Sequence, residues 1–410
     1  MTRLFCLLFA ASLSALVLSC SAARAESVGI EDAVASALDH SPLVQELEAR
    51  FQIERAEALE VKVIADPELD AALAVPLASQ NSRGDDEIDI SLSQRVRASQ
   101  GALRHRLSRL IEESASEEKE KGILETLVRV RFAFAQAWAV TERMRALREL
   151  IPHSRNLSRF VSKGLEIGAY GKGDEALFRA EEARIESDMK SLEADKLRAY
   201  AELSRLSGRS FSGVTLVAPK LPLAFNENEL RARLDGTKLR AQRRARLISE
   251  MSQAASDVAA RDSFPELRPR LFYSHTNEGV DLLGLGVSFD LPFTGNSAEK
   301  LKAEARQVTA KLNLSAKESD SFKTSVLESS AAYGLQLEAL HIYETQVLPA
   351  LRDALSALQK QISSGQGNVF QLWQTFRENA TAQERYLELW TKLFSERTEL
   401  SLLLEEEIER

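Results

Sequence analysis

Cysteine is nearly missing from this 410-residue chain: there are two, Cys6 and Cys20, both in the first twenty residues. The remainder has no thiol with which to form a disulfide or hold a soft metal. Glycine (18), proline (10) and aromatic residues (6%) are also scarce, which argues against several compact, turn-rich domains. After the N-terminal segment no run of 18 apolar residues occurs, so no transmembrane helix is expected. Neither sign of charge dominates: 53 basic and 61 acidic residues are interspersed, with a net charge of −8 and no basic patch for nucleic acid. Catalytic signatures are lacking too. His40, His105, His153, His275 and His341 are scattered without metal-ligand spacing. No nucleophile motif occurs, and no glycine loop joins a strand to a helix as phosphate binding needs. The chain therefore reads as a non-enzyme with no cofactor.

What is present is long punctuation-free tracts of Ala, Leu, Glu, Arg, Ser and Gln, the profile of long helices and coiled coils. The N-terminus reads as a targeting segment, 1–25. Arg3 is its positive end, an apolar run follows, and Ala23-Arg24-Ala25 fits a signal-peptidase site. A competing reading of "VLSC" makes Cys20 a lipidation site. Either way the chain is expected to be exported.

The rest is written twice. "ADPELDAALAV" from Ala65 and "SFPELRPRLFY" from Ser263 lie 198 positions apart, and Pro152 and Pro349 lie 197 apart. "GKGDEALF" from Gly171 matches "GQGNVFQL" from Gly365 at a separation of 194. Such a repeat constrains the fold before anything else. The expected fold is mainly α with a small β part, in two tandem units of helix, two strands, long helix, helix. Repeat one covers 26–210, with strands at about 67–77 and 87–96, a long helix at about 97–165 and a helix at 174–206. A linker follows at 211–227. Repeat two covers 228–410, with a helix at 228–260, strands at about 266–275 and 282–291, a long helix at about 297–362 and a helix at 368–404. A helix of that length, roughly 100 Å at 1.5 Å per residue, needs neighbours all along its apolar stripe. Leu348, Leu351, Leu355, Leu358 and Ile362 step by coiled-coil spacings.

The two glycine pairs read as helix-hairpin turns. Gly171 and Gly173, like Gly365 and Gly367, let the chain reverse, and Asp174 and Asn368 are good N-caps. Gln371, three after Asn368, suggests a capping box. The same tips are free to dock a partner. The strands alternate: Leu69, Ala71 and Leu73 against Glu68, Asp70 and Ala72, and Leu283, Leu285, Val287 and Phe289 against Gly284, Gly286 and Ser288. Period 2 with one apolar and one polar face separates two environments. Four strands cannot close a barrel, and lipid does not tolerate open edges. Either the strands form a small soluble sheet, or three chains pool them into a twelve-stranded barrel.

"ALDHSPLVQELEARF" at 37–51, the two Pro-Glu-Leu strand starts, "GVSFDLPFTGNSAEKLKAEARQ" at 286–307, "LSRLSG" at 203–208, the paired prolines and the two tips together resemble the TolC-like outer membrane efflux proteins. The resemblance covers nearly the whole chain after residue 25 and is closest to the heavy-metal cation branch. It implies a homotrimeric duct in the outer membrane of a Gram-negative bacterium, with a twelve-stranded barrel above a helical periplasmic tunnel. Outer membrane lipid, a periplasmic adaptor and an inner membrane pump are the implied partners, the adaptor meeting the tips at Gly171, Gly173, Asp174, Gly365, Gly367 and Asn368. Pro152 and Pro349 are expected to kink the long helices. Family members narrow the tunnel with inward acidic residues near the tips, which here points to Asp174 and Glu175. The second tip instead offers Gln371 and Gln374, a departure that weighs against a strong cation-gating ring. The alternative function is a periplasmic coiled-coil structural or adaptor protein.

Overall fold

The computed structural model describes residues 27–74, 87–97, 99–221, 224–235, 239–262, 264, 266–275, 280–289, 297–364 and 368–405. The targeting segment with Cys20, the ends of the expected strands beyond Ala74 and Phe289, and Gly365 and Gly367 lie outside them. In chain order the elements are β1 (Ser27–Val28), α1 (Ile30–His40), α2 (Pro42–Lys62), β2 (Glu68–Ala74), β3 (Glu87–Ser93), α3 (Ala102–Glu166), α4 (Lys172–Ser207) and β4 (Thr215–Leu216). They continue as α5 (Glu227–Asp235), α6 (Arg240–Asp262), β5 (Leu267–His275), β6 (Asp281–Phe289), α7 (Ser297–Glu318), α8 (Asp320–Ile342), a π-helical turn (Tyr343–Val347), α9 (Leu348–Ser363) and α10 (Val369–Leu404). The chain is mainly helical with a small β part, and the order helix, strand pair, long helical tract, helix occurs twice.

The two long tracts differ. α3 is one helix of 65 residues that runs through Pro152 without ending. The expected continuous helix over 297–362 is instead interrupted twice. At Ser319 the chain bends, and the Ser319 hydroxyl accepts from Phe322 N–H at 3.2 Å, capping α8. Further on, the π-turn precedes Pro349, and Leu348 N–H reaches back to the Tyr343 carbonyl. The helix expected at 228–260 is likewise two helices, α5 and α6, and the short α1 was not foreseen.

Contacts divide the chain into two compact units, each drawn from both halves of the sequence: 1–45, 123–227 and 328–410 form one, and 46–122 and 228–327 the other. The second holds a four-stranded antiparallel sheet in the order β2-β3-β5-β6. Leu107, Leu110, Ala254 and Val258 form an apolar core between α3 and α6. At the strand-to-helix transition the buried Arg104 guanidinium binds Asp262, donates to the Ser99 hydroxyl at 2.7 Å and reaches the Val61 carbonyl at 3.2 Å. This one side chain ties the ends of α2 and α6 to the start of α3. Ion pairs add to it: Arg243 meets Glu117 at 2.9 Å, Arg244 meets Glu118 at 3.0 Å and Arg246 meets Glu318 at 2.7 Å.

In the first unit β1 pairs in parallel with β4. α1 lies on α4, and Ser36 donates to the Ser207 carbonyl at 3.2 Å. Gly208 ends α4 with φ 69° beside the His40 carbonyl, where a Cβ would collide with backbone. Trp138 and Trp390 pack at 4.6 Å between centroids. Tyr333 is fully buried. Nearby on α10, the Arg397 guanidinium lies 3.7 Å from the centroid of the Phe225 ring.

Candidate functional site

Two features of the chain offer surfaces for function: the sheet and the helix-hairpin tips. In the sheet, Leu69, Leu92, Leu271 and Leu285 stand in one cross-strand row, and Ala71, Ile90, Tyr273 and Leu283 in the next. Leu73, Ile88, Leu267, Val287 and Phe289 extend the same face. A soluble sheet buries such a face against another layer. Here it is open, with Leu285 at 86% and Leu283 at 76% exposure. The opposite face carries Glu68, Asp70, Glu87, Asp89, Arg268, Arg270 and the serines between them. β2 and β6 are the outer strands, and among the described residues neither has a partner on its outer edge. The last row at one end places Asp281 opposite His275, and the Asp281 carboxylate accepts from Tyr273 Oη and meets His275 Nδ1, both at 2.8 Å.

The tips lie in the first unit. α3 ends in a Schellman turn: Ala169 N–H donates to the Gly164 carbonyl at 2.8 Å and Gly168 N–H to Leu165 at 3.1 Å. Gly168, with φ 75°, supplies the left-handed residue this turn requires. The reversal therefore rests on Gly168 rather than on Gly171 and Gly173. Gly171 is extended and forms the N-cap of α4. Asp174 is not the cap itself: it sits three positions later, and its carboxylate accepts from Gly171 N–H at 2.9 Å, the reciprocal half of a capping box. At the second tip Asn368 is the N-cap, its side chain accepting from Phe370 N–H at 2.9 Å.

The two hairpins pack on each other. Val161, Phe178 and Ile185 of the first meet Leu358, Val369, Leu372, Trp373 and Phe376 of the second in one core. Phe178 faces Phe370 at 5.5 Å and Trp373 at 5.9 Å between centroids, and Tyr170 meets Phe370 edge-on at 6.2 Å. Gly164 makes room for the Tyr170 ring, into which a Cβ would run. At the surface of the turn Ile167 is 82% exposed.

This geometry is shared with solved structures. The outer membrane protein VceC of Vibrio cholerae matches with a TM-score of 0.70 at 17% identity, over 93% of this chain and 97% of that one. The Neisseria gonorrhoeae MtrE outer membrane channel in its open state matches with 0.69 at 15% identity, over 96% and 94%. The Campylobacter jejuni CmeC outer membrane channel matches with 0.70 at 11% identity, over 92% and 85%. This chain has the fold of an outer membrane channel. No protein-family model matches the sequence, and no curated protein matches it significantly. The likeness is therefore one of backbone, kept while most side chains differ.

Within this channel fold the residues singled out by sequence fall into three groups. Asp174 and Glu175 are engaged locally: Glu175 accepts from Ser162 Oγ at 3.1 Å and pairs with Arg179 at 2.9 Å, with its side chain mostly covered. Gln371 and Gln374 lie on an exposed stripe of α10, away from the core formed by Leu372, Trp373 and Phe376. The histidines stay apart. His153 stacks on Phe376 at 4.5 Å. Among the described residues no group of three His, Cys, Asp or Glu could hold a metal ion. Gly164, Gly168, Tyr170, Phe370 and Trp373 were missed, though an aromatic residue beside each glycine turn ("GAYGKGD", "GNVFQLW") was the available signal.

Proposed function

We propose that the chain is the outer membrane duct of a tripartite efflux system, a passive homotrimer that carries small solutes, metal cations or drugs, to the exterior. One observation carries this reading: a four-stranded sheet with an open apolar face and two unpartnered outer strands. Both defects are removed together when three copies join edge to edge. Twelve strands then close a cylinder, the apolar face meets lipid and the polar face lines water. The fold shared with VceC, MtrE and CmeC supports the same conclusion. No chemical step is assigned to the chain, so the energy for export comes from an inner membrane pump. The hairpin tips, from Gly171 to Asp174 and from Gly365 to Asn368, are the contact for a periplasmic adaptor. Asp174, Glu175, Gln371 and Gln374 are the residues nearest any constriction there, and Pro152 and Pro349 are the bend points of the long helices.

Fractionation tests the core claim. Heat-resistant trimers in outer membrane extracts are expected. A water-soluble monomer recovered from the periplasm would overturn it. A deletion strain challenged with zinc, cobalt, cadmium, copper and several drugs then identifies the cargo by the compound to which it becomes sensitive.

A further inference from the structure

In the unit that holds the sheet, the helices follow the order of the strands. α2 joins α3 through Arg55–Glu112 at 3.3 Å and Lys119–Glu48 at 3.2 Å. α3 packs on α6 through the core that contains Leu107 and Val258. α6 joins α7 through Arg246–Glu318, and Gln242 donates to the Lys317 carbonyl at 3.2 Å. The layer α2-α3-α6-α7 thus begins and ends as the sheet β2-β3-β5-β6 does, with α2 and α7 outermost. On α7, Gln307 bonds Gln253 of α6, and Ala310 is buried. Leu301, Ala305, Val308 and Leu312 fall on the opposite side at coiled-coil spacing, and all are exposed, Leu312 at 63%. On α2, Ala58 is buried and Val61 packs on the α3–α6 core. The outer side carries Ile53, Ala56 and Leu59, continued by Val63 beyond the helix end, and these too are exposed. A row of charge runs beside each stripe. Glu54, Glu57 and Glu60 are spaced by three on α2, and Lys302 and Arg306 by four on α7, where they outnumber Glu299. These rows are exposed, and among the described residues none of their side chains has an ion-pair partner.

We propose that α7 of one copy and α2 of the next form an antiparallel seam, and that its charge rows make the chain select its own kind. The proposal rests on the duct reading above. When β6 of one copy joins β2 of the next, α7, which follows β6, comes beside α2, which precedes β2. The two run in opposite directions. With their apolar stripes facing, Lys302 and Arg306 then lie on the same flank as Glu54 and Glu57. Depth matches as well: Lys302 and Glu57 are equally far from the sheet ends of their helices, and Arg306 and Glu54 nearly so. Backbone bonds between β6 and β2 give affinity but carry little sequence information. The seam supplies it: the stripes bury apolar surface, and a related duct with other charges at these positions would meet like charge.

Two tagged forms of the full-length chain, co-expressed and recovered as heat-resistant trimers from outer membranes, test this. Two tags on unaltered chains should give mixed trimers in about three-quarters of the total, by random assortment around a closed ring. Glu54→Lys with Glu57→Lys is expected to lower trimer yield about tenfold, and so is Lys302→Glu with Arg306→Glu, because each sets like charges against each other in every seam. All four changes in one chain are expected to restore the yield, and to cut mixed trimers with the unaltered chain to roughly a tenth of the total. Full yield from either two-site variant overturns the proposal. So does failure of the four-site variant to recover, or its free mixing with the unaltered chain. If the unaltered chain itself forms no trimers, the duct reading falls, and this proposal with it.

Discussion

Asp174 illustrates how a charge near a tip is assigned. Its carboxylate holds the Gly171 amide at 2.9 Å, a bond that asparagine can also accept. Asp174→Asn is therefore expected to leave export unchanged and stability within about 0.5 kcal/mol, whereas Asp174→Ala lowers stability by about 1 kcal/mol through the lost capping-box bond. A loss of export in the Asn variant, measured as accumulation of a cargo compound, would instead show that the charge itself acts on the solute. Tyr333 makes a second residue-scale case. Burial pushes its hydroxyl up to about 12, with Arg397 partly opposing that shift and Glu396 adding to it. A phenol whose folded value exceeds its unfolded value of about 10 stabilises the fold fully below pH 10. That stability is lost as pH rises toward 12, by roughly 2–3 kcal/mol at about 1.4 kcal/mol per unit. Tyrosinate absorbance should therefore rise together with unfolding in this range, and Tyr333→Phe should flatten that part of the pH–stability curve.

Among the elements, the π-turn at Tyr343–Val347 shows which effect decides a helix path. Proline at 349 has no N–H, and its ring crowds the carbonyl four residues back, which the wider turn relieves. Yet the phase of α9 is also fixed by burial of Leu355 and Leu358 in the hairpin core. Moving two such leucines out costs about 2–5 kcal/mol each, more than the roughly 3 kcal/mol that proline costs a helix. Pro349→Ala alone should then keep the turn. Deleting Thr345 together with Pro349→Ala should give a regular helix in the same phase, with trimers of equal or greater heat stability. Reduced export in that variant would assign a moving role to the turn, and a collapse of the trimer would show that the phase argument is wrong. The same comparison explains what sequence could reveal. Leu69, Ala71 and Leu73 announce a strand because alternation is local, and the 65-residue α3 is legible because nothing interrupts it. The break at Ser319 was overlooked although "KESDSFKTS" is rich in Ser, Asp and Thr, which favour caps over helix interiors; the stop depends on one hydroxyl reaching Phe322 N–H. Gly168 was overlooked because Gly171 and Gly173 carry the repeat, whereas the turn is chosen by backbone bonds to Gly164 and Leu165. The packing of Phe178 on Phe370 and Trp373 joins segments nearly 200 residues apart, and no local pattern encodes it.

At the scale of the whole molecule, the charges of the polar sheet face bear on what a duct would pass. Glu68 on that face is paired with Arg95 at 3.1 Å, and the remaining Asp70, Glu87 and Asp89 outnumber Arg268 and Arg270. A pore lined this way favours cations. Under a potassium chloride gradient the reversal potential should have the sign of potassium preference, and Asp70→Asn with Asp89→Asn should move it toward zero. An anion preference in the unaltered protein would mean that this face does not line the pore. The two long tracts are also unequal: one is a single continuous helix, and the other is interrupted at Ser319 and again before Pro349. Three such chains in a ring would set staves with one bend point, at Pro152, beside staves broken at Ser319 and again before Pro349, so a wall that counts six by its sequence repeat would count three by its compliance.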